Sequence, residues 1–474
     1  MALVDLNLYE AGHAIVLAAA LLVFSGVFSV FHRSKEMQLL LSTVLLLIIS
    51  VLALFLLATA QIDTILDTFI LYPFSMFFVA LFALSMMMIN ILSYQYSKDY
   101  LAFSALFGFV AFGMFIVAMT NSLVGIVLGM ELMTLPSAFM VMINGKQFVE
   151  SAVKLFVLSA VSIGMLVFAV ALAMPYDPNL SLGQFFAVAN PFGLYLALLS
   201  MFLFIAALSF DATLFPFNLW APDVYTGAPA NITAMLAGVN KKVAFAALFE
   251  ILFVAFASQG PIISMIFQAL AIFTMFFGNI IALVQNNVKR LFAYSAISQA
   301  GYIALGIAAA TQYGIESSIF QIFAHTFMII GTFAIILYLE ERNIKTIQDF
   351  NGLGSRNAFA ALALTVFMLS MIGIPPLIGF VGKFLLFTSV INSGMIALAA
   401  IAILNSFISV YYYARVIFSM YAVRERNPLV IDRSVSTVVV ICLLVTLLVG
   451  IYPQPLITIA TVVSTSLSQI AIIR

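Results

Sequence analysis

Apolar runs of about 20 residues, separated by short polar breaks, follow one another along almost the whole chain. A helix of about 20 residues crosses the hydrocarbon core of a membrane and satisfies its own backbone hydrogen bonds there. The pattern therefore predicts an all-α polytopic membrane protein with about 14 transmembrane helices. The predicted spans are residues 11–31, 39–60, 69–94, 100–119, 121–143, 149–174, 192–220, 227–257, 262–286, 290–310, 316–339, 358–393, 395–422 and 435–457.

Composition excludes several classes of protein. Of the 474 residues, 65% are hydrophobic and only 8% are charged, which is typical of a membrane protein. The 18 basic residues balance the 18 acidic ones, so no basic surface for nucleic acid is expected. The single cysteine, Cys442, excludes an intrachain disulfide and a cysteine-held cluster or zinc site within this chain.

Positive charges in the connections predict the orientation. The connections after spans 1, 3, 5, 9, 11 and 13 carry lysine or arginine, whereas the even-numbered connections carry none. By the positive-inside rule, the odd-numbered connections are cytoplasmic and both termini lie on the outer side of the cell membrane. The basic residues in question are Arg33, Lys35, Lys98, Lys146, Lys289, Arg290, Arg342, Lys345, Arg356, Arg424, Arg426 and Arg433.

Two predicted spans are interrupted in a similar way. Span 7 contains LFPFNLWAP at residues 214–222, with Pro216 and Pro222, and span 12 contains GIPP, with Pro375 and Pro376. Proline removes a backbone donor, so a broken helix in a membrane must face protein or water. Ordinary proline kinks without function are the alternative.

The spacing of these breaks predicts an internal repeat. They lie five spans apart, and an odd number of helices makes the second copy enter the membrane from the opposite side. Two inverted five-helix repeats, spans 4–8 and 9–13, are therefore expected. The predicted organisation is a three-helix segment at residues 1–99, a first repeat at 100–257, a second repeat at 258–422 and a C-terminal helix at 423–474.

Ionisable residues within the spans are the main indication of function. A charge at the bilayer centre costs roughly 2.5–3.5 kcal/mol on insertion scales, so such residues usually lie on ion or proton paths. A salt bridge that merely pins two helices is the alternative, and a histidine can simply link helices by hydrogen bonds. The candidates are Glu131, Lys154, Asp211, Lys242 and Lys383, with Glu250 and His325 as secondary members of a proton path.

Helical geometry favours Lys242 over its neighbour Lys241. At 100° per residue, Lys242 and Glu250 are about 80° apart around one helix, whereas Lys241 and Glu250 point in opposite directions. Lys242 is therefore the predicted partner on a shared polar face. Moving a partner towards or away from a buried carboxylate or lysine can load or eject a proton.

Three motifs carry a resemblance. Residues 221–229 read APDVYTGAP, residues 288–302 read VKRLFAYSAISQAGY and residues 373–384 read GIPPLIGFVGKF. Together they resemble subunit N, an antiporter-like, proton-pumping membrane subunit of respiratory complex I and related dehydrogenases, including archaeal F420H2 dehydrogenase. The resemblance covers nearly the whole chain and implies fourteen helices with inverted five-helix repeats. The short tail after residue 457 leaves no room for the lateral helix of the related largest antiporter subunit.

The resemblance also implies roles for residues. Glu131, Lys242 and Lys383 match the family's proton-path carboxylate and lysines, and Lys154 matches the lysine that opens the sixth helix. The chain departs from the pattern where Asp211 replaces a lysine of helix 7 and Asn218 replaces a histidine. We therefore expect a rewired pair in which Asp211 bridges Lys154 and Lys242.

The expected function is that of a non-redox membrane subunit of a proton-translocating oxidoreductase, with NADH, F420H2 or ferredoxin as donor and quinone or phenazine as acceptor. No metal or cofactor is expected in this chain. Flavin, iron–sulfur clusters and quinone or phenazine are expected in partner subunits, and the partners are other membrane-arm subunits and lipids. A subunit of a multi-subunit sodium/proton antiporter and a membrane scaffold that has lost pumping are the alternatives.

Overall fold

A computed structural model of the chain describes residues 2–32, 34–65, 68–177, 180–182, 191–423 and 427–473. Within these ranges the backbone is almost entirely helical. Twelve helices are long and apolar enough to cross a membrane, and a bent pair, Gln348–Arg356 with Ala358–Ile372, would make a thirteenth. The predicted helical membrane fold is therefore confirmed.

The first part of the described chain contains ten α-helices. They are α1 (Ala2–His32), α2 (Lys35–Thr59), α3 (Pro73–Tyr96), α4 (Tyr100–Met119), α5 (Leu123–Met142), α6 (Val149–Ala173), α7 (Pro191–Asp211), α8 (Trp220–Gly227), α9 (Ala230–Met235) and α10 (Lys241–Glu250).

Nine further α-helices follow in the described residues after Glu250. They are α11 (Gly260–Leu283), α12 (Val288–Ala308), α13 (Gln312–Glu340), α14 (Leu353–Arg356), α15 (Ala358–Ile372), α16 (Ile378–Asn392), α17 (Ile396–Ala422), α18 (Arg433–Ile451) and α19 (Gln454–Ile473).

Polar side chains fix where several of these helices begin. Asp99 accepts a hydrogen bond from the backbone N–H of Ala102, 3.1 Å away, at the start of α4. Such caps satisfy one of the N–H groups that have no partner within the helix. The same arrangement starts four more helices, with Ser122, Asn287, Thr311 and Asn357 as the capping residues.

The predicted spans correspond well to the helices. The twelve apolar helices match spans 1–7, 9–11, 13 and 14. Span 8 is interrupted by two π-helical segments, Leu236–Asn240 and Ile251–Ala255, on either side of α10. Span 12 is interrupted by residues 373–377 between α15 and α16.

The broken spans are found as predicted, with one correction. Residues 212–219 separate α7 from α8 and include Pro216, and Pro375 and Pro376 lie within the second break. Pro222 is not in a break, because it lies in the first turn of α8. Proline is tolerated there since the N–H groups of a first helical turn have no partner within the helix.

A short β-hairpin lies between α2 and α3. Strand β1 (Asp63–Ile65) pairs antiparallel with β2 (Phe69–Leu71). The predicted start of span 3 at residue 69 was wrong, because α3 begins only at Pro73. Apolar residues before a proline are not distinguished by hydropathy from the first turn of a helix, although proline favours the first helical position.

The C-terminal tail is a second correction. The sequence predicts span 14 to residue 457 and then a tail, whereas α18 ends at Ile451 and α19 occupies Gln454–Ile473. Serine and threonine in this segment lower its hydropathy. Their hydroxyls donate back to helical carbonyls, as Thr461 does to Ile457 over 3.0 Å, so the polar groups are satisfied within the helix.

The chain folds into two compact units. Unit 1 comprises residues 1–212, 239–260 and 462–474, and unit 2 comprises residues 213–238 and 261–461. The segment 213–238 thus belongs to the second unit, although it lies within the first predicted repeat. The repeat symmetry and its domain boundaries stay predictions.

Helices α12 and α13 form the centre of unit 2. Every residue of α12 except Arg290 is buried, and α13 contacts α9, α12, α15, α16 and α18. A helix surrounded by protein does not need an apolar face towards lipid. This explains why α12 tolerates polar residues that a lipid-facing helix would exclude.

Candidate functional site

Lys383 lies in α16, just beyond the break in span 12, and is only 3% exposed. Its Nζ donates to the backbone carbonyl of Ile372 over 3.0 Å and to Oγ of Ser406 over 2.9 Å. Ser406 Oγ also donates to the Ile372 carbonyl, over 2.9 Å. An ammonium group has three donors, so these two contacts leave one N–H for another acceptor.

The two prolines of the break explain which carbonyls are free. In an α-helix the carbonyl of residue i accepts from the N–H of residue i+4. For Met371 and Ile372 that residue would be Pro375 and Pro376, which have no N–H. The Ile372 carbonyl accepts from Lys383, and the Met371 carbonyl accepts from Nε2 of Gln299 over 3.1 Å.

An aromatic ring completes the surroundings of Lys383. The Nζ atom lies 4.3 Å from the centre of the Tyr302 ring, within the range of a cation–π interaction. Gly373 ends α15 with a φ of +99°, and a Cβ there would lie 3.2 Å from Cδ of Lys383. Only glycine adopts this conformation without strain and leaves the lysine stem its space.

A cavity of about 410 Å³ adjoins Lys383 and Ser406. The rest of its wall is mainly apolar. The apolar lining residues include Ile372, Ile374, Phe380, Phe384, Phe387, Ile403, Phe407 and Val410. Lys383 therefore lies between a polar helix break and an apolar space.

Glutamine side chains extend the polar arrangement into α12 and α13. Gln321 Nε2 donates to Oε1 of Gln299 over 3.1 Å, and Gln299 in turn donates to Met371. His325, one turn further along α13, is fully buried.

The first two motifs contact each other in unit 2. Lys289 Nζ donates to the carbonyl of Ala228 over 2.5 Å and pairs with Glu340 Oε1 at 2.8 Å. Arg290 pairs with Asp223 at 3.2 Å, where both side chains are partly exposed. Since Tyr302 of the second motif contacts Lys383 of the third, all three motifs meet within one unit.

In unit 1, Glu131 begins a polar stripe on α5. Glu131 is half-buried, and Thr134 and Ser137 follow at intervals of three residues, so all three lie along one side of the helix. Asn240 Nδ2 donates to Oγ of Ser137 over 3.1 Å. This bond links the stripe to the residue that immediately precedes Lys241 at the start of α10.

Three ionisable residues lie on α10 between the two π-helical segments. Lys241, Lys242 and Glu250 are 1%, 0% and 2% exposed. Both lysines are buried, so burial does not distinguish Lys242 as the predicted partner. π-Helical turns often occur at functional sites, and here one precedes the lysines and the other follows the glutamate.

The predicted bridge through Asp211 is not formed. Asp211 is the last residue of α7 and 8% exposed. Lys154 pairs instead with Glu150, one turn away on α6, at 2.8 Å, and its side chain is 41% exposed. In the described part of the chain, Asp211 forms no ion pair or hydrogen bond with Lys154 or Lys242.

The break in span 7 also leaves buried polar atoms. Asn218 is fully buried, and neither its side-chain oxygen nor its nitrogen has a hydrogen-bond partner among the described residues. The backbone N–H of Phe215 donates to Oγ1 of Thr274 over 2.9 Å. Buried polar atoms without protein partners are the usual positions of structural water.

Several residues of these sites are not predicted by the sequence. Tyr302 lies in the second motif, but nothing in the motif indicates a contact with Lys383. Ser406 contacts Lys383 from α17, and Tyr72 contacts Glu250 from the junction between β2 and α3. Neither residue belongs to a motif. The described residues contain no group of three or more metal-ligating side chains.

Comparisons with known proteins agree with this geometry. The family described as NADH:quinone oxidoreductase/Mrp antiporter, TM, matches residues 120–409. NADH-quinone oxidoreductase subunit N from Trichlorobacter lovleyi is 37% identical over 366 residues, covering 75% of each chain. F(420)H(2) dehydrogenase subunit N from Methanosarcina mazei is 34% identical over 417 residues, covering 83% of this chain and 84% of that protein.

A solved structure extends the likeness to the fold. A chain of respiratory complex I from Thermus thermophilus superposes with a TM-score of 0.81 at 26% sequence identity, covering 94% of this chain and 98% of the other. The chain is therefore a multi-pass membrane protein that belongs to the family of transmembrane subunits shared by NADH:quinone oxidoreductases and Mrp antiporters.

Proposed function

We propose that this chain translocates protons as an antiporter-like membrane subunit of a redox-driven complex I-type dehydrogenase. The observation that carries the proposal is that membrane-spanning segments hold ionisable side chains at most 8% exposed. The five that we assign to the proton path are Asp211, Lys241, Lys242, Glu250 and Lys383. Burying so many ionisable groups in a membrane is costly, so they are expected only where they serve a function.

In unit 2, Lys383 is the proposed proton carrier. Its ammonium form can keep the contacts with Ile372, Ser406 and the Tyr302 ring, and its third N–H is available to a water molecule or another acceptor. Loss of a proton removes the charge and weakens the attraction to the ring. A change of electric field at Lys383 would thus change both its charge and its contacts.

In unit 1, Glu131, Asp211 and the lysines of α10 are the proposed carriers. Helix α7 supplies the carboxyl group of Asp211, where the family pattern has a lysine. The charge order of this half therefore differs from the family pattern. Lys154 belongs at the edge of the path, because it is partly exposed and paired with Glu150.

The redox chemistry is assigned to partner subunits. Relatives named as subunits of NADH-quinone oxidoreductase and of F(420)H(2) dehydrogenase support a complex of this kind. We propose that flavin, iron–sulfur clusters and a quinone or phenazine lie in those partners, and that the donor is NADH, F420H2 or ferredoxin. This subunit would respond to reduction through its contacts in the membrane arm.

A sodium/proton antiporter is the second candidate, because the matching family includes Mrp antiporter subunits. The purified complex in sealed vesicles distinguishes the two. The proposal predicts electron transfer by the co-purified soluble subunits, accompanied by proton movement that does not require sodium. Co-purification of antiporter subunits alone, with sodium movement driven by a pH gradient, would favour the second candidate.

A further inference from the structure

Glu250 is a buried carboxyl group at one end of unit 1. It is the last residue of α10 and 2% exposed, and the π-helical segment Ile251–Ala255 follows it directly. A carboxyl group in such a place needs polar partners in either protonation state. Neither the motifs nor the helix breaks account for its position.

Tyr72 supplies one such partner from a distant part of the chain. Its hydroxyl donates to Oε1 of Glu250 over 2.8 Å. The backbone of Tyr72 is itself held, because its N–H donates to Oγ of Ser75 over 3.0 Å at the start of α3. The phenol group is therefore positioned by the junction between the β-hairpin and α3.

A small cavity of about 10 Å³ adjoins this pair. A space of about 10–15 Å³ with two to four polar partners is enough for one water molecule. The cavity offers three polar walls, Glu250, Tyr72 and Thr120, and the others are Ile70, Leu182, Val254 and Ile470. The site thus fits one water molecule in contact with the carboxyl group.

Three connections of unit 1 come together at this end. The N–H of Asn121 donates to the carbonyl of Thr68, the N–H of Leu182 donates to the carbonyl of Asn121, and both distances are 2.9 Å. The N–H of Leu123 donates to the carbonyl of Leu180 over 2.8 Å. These segments follow α2, α4 and α6, so they lie at one end of the membrane-spanning helices.

We propose that Glu250 is the group through which unit 1 exchanges protons with the aqueous phase at this end of the helices. A water molecule between Glu250, Tyr72 and Thr120 mediates the exchange. Tyr72 is a positioning residue. The inference rests on the proposed proton translocation. It adds an outlet on the side of the membrane where the connections after α2, α4 and α6 lie, and it names Tyr72 as the residue that orients Glu250.

The proton transfer is a simple exchange. For release, the O–H bond of protonated Glu250 breaks and a new O–H bond forms on the water molecule, which passes a proton on towards the connections. The carboxylate that remains accepts a hydrogen bond from the hydroxyl of Tyr72. Such a bond to a carboxylate is stronger than one to the neutral acid. Uptake is the reverse.

The test uses the whole complex in sealed vesicles, with protons moved per electron pair as the readout. Glu250→Gln removes the titrating group, and Tyr72→Phe keeps the ring but removes the hydroxyl. Glu341→Gln is the control, since Glu341 is an exposed carboxyl group just after the end of α13. We expect Glu250→Gln to lower the ratio at least twofold, Tyr72→Phe to lower it less, and Glu341→Gln to leave it unchanged.

Infrared difference spectra between the oxidised and reduced complex provide the second measurement. A carboxylic acid band that disappears in Glu250→Gln and shifts in Tyr72→Phe supports the outlet. The inference is overturned if the wild-type complex pumps and Glu250→Gln pumps equally well, or if no such band depends on Glu250. A wild-type complex that transfers electrons without moving protons would instead contradict the proposed function itself.

Discussion

At the scale of single residues, Lys383 is the group whose surroundings are best defined. Two prolines remove the N–H donors that would occupy the Met371 and Ile372 carbonyls, and side chains of Gln299 and Lys383 take their place. A buried ammonium group thus receives a backbone acceptor, a hydroxyl acceptor and an aromatic ring. The helix break builds the lysine site as well as interrupting a span.

The ring of Tyr302 contributes to holding the charge of Lys383. Cation–π contacts are worth about 0.5–2 kcal/mol, depending on desolvation. We expect Tyr302→Leu to slow proton translocation several-fold, because the ammonium form loses this contact, and Tyr302→Phe to retain most of the rate. Proton movement in vesicles at a fixed electron-transfer rate measures both. Equal losses in the two variants would mean that the hydroxyl, not the ring, matters.

The residues of the candidate site were partly predictable. Glu131, Asp211, Lys242, Glu250, His325 and Lys383 were found because charge within an apolar run is conspicuous. Their partners were not, since Ser406, Tyr302 and Tyr72 are ordinary residues that are brought close only by tertiary packing. The predicted Asp211 bridge is not found among the described residues, because Lys154 pairs with Glu150. The sequence itself shows the spacing of four residues that favours this pair within one helix.

At the scale of elements, α10 and the broken span 12 are irregular helical regions that carry buried ionisable residues. The proline-containing breaks were predicted from the sequence, because proline is a direct signal of a missing donor. The two π-helical segments around α10 were not predicted. A π-helical turn changes the hydrogen-bond pattern of the backbone and has no comparable residue signature. A hydropathy profile therefore does not distinguish it from an α-helix.

Gly373 is the position at which a substitution tests the geometry of the break in span 12. Gly373→Ala forces a side chain into a φ of +99° and places Cβ 3.2 Å from Lys383 Cδ. We expect a loss of about 1–2 kcal/mol, seen as a lower unfolding temperature of the purified complex. Gly164→Ala is the control, because Gly164 lies within α6 with open space around its Cβ position. A control that destabilises as much would refute this explanation.

At the scale of the whole molecule, twelve of the predicted spans each contain one long apolar helix among the described residues. Spans 8 and 12 are divided, and the apolar helix of span 7 ends at the break after Asp211. Hydropathy was sufficient to locate the spans, because lipid tolerates only continuous helices or breaks that are protected by protein or water. Hydropathy missed the hairpin β1–β2, because its strands are short. It also missed the helix α19, because hydroxyl side chains weaken the apolar signal there. Orientation stays a prediction, and Arg33, Arg424 and Arg426 lie outside the described residues.

Each unit contains its own set of buried ionisable residues, and the central claim is that these residues move protons. Lys383→Met tests it most directly, because methionine keeps a similar length but cannot carry a proton. Lys146→Met, at an exposed lysine in a connection, is the control. The measurement is protons moved per electron pair by the complex in sealed vesicles. The account predicts that Lys383→Met lowers proton movement at least about tenfold while the control matches the wild type; normal pumping by Lys383→Met would contradict it.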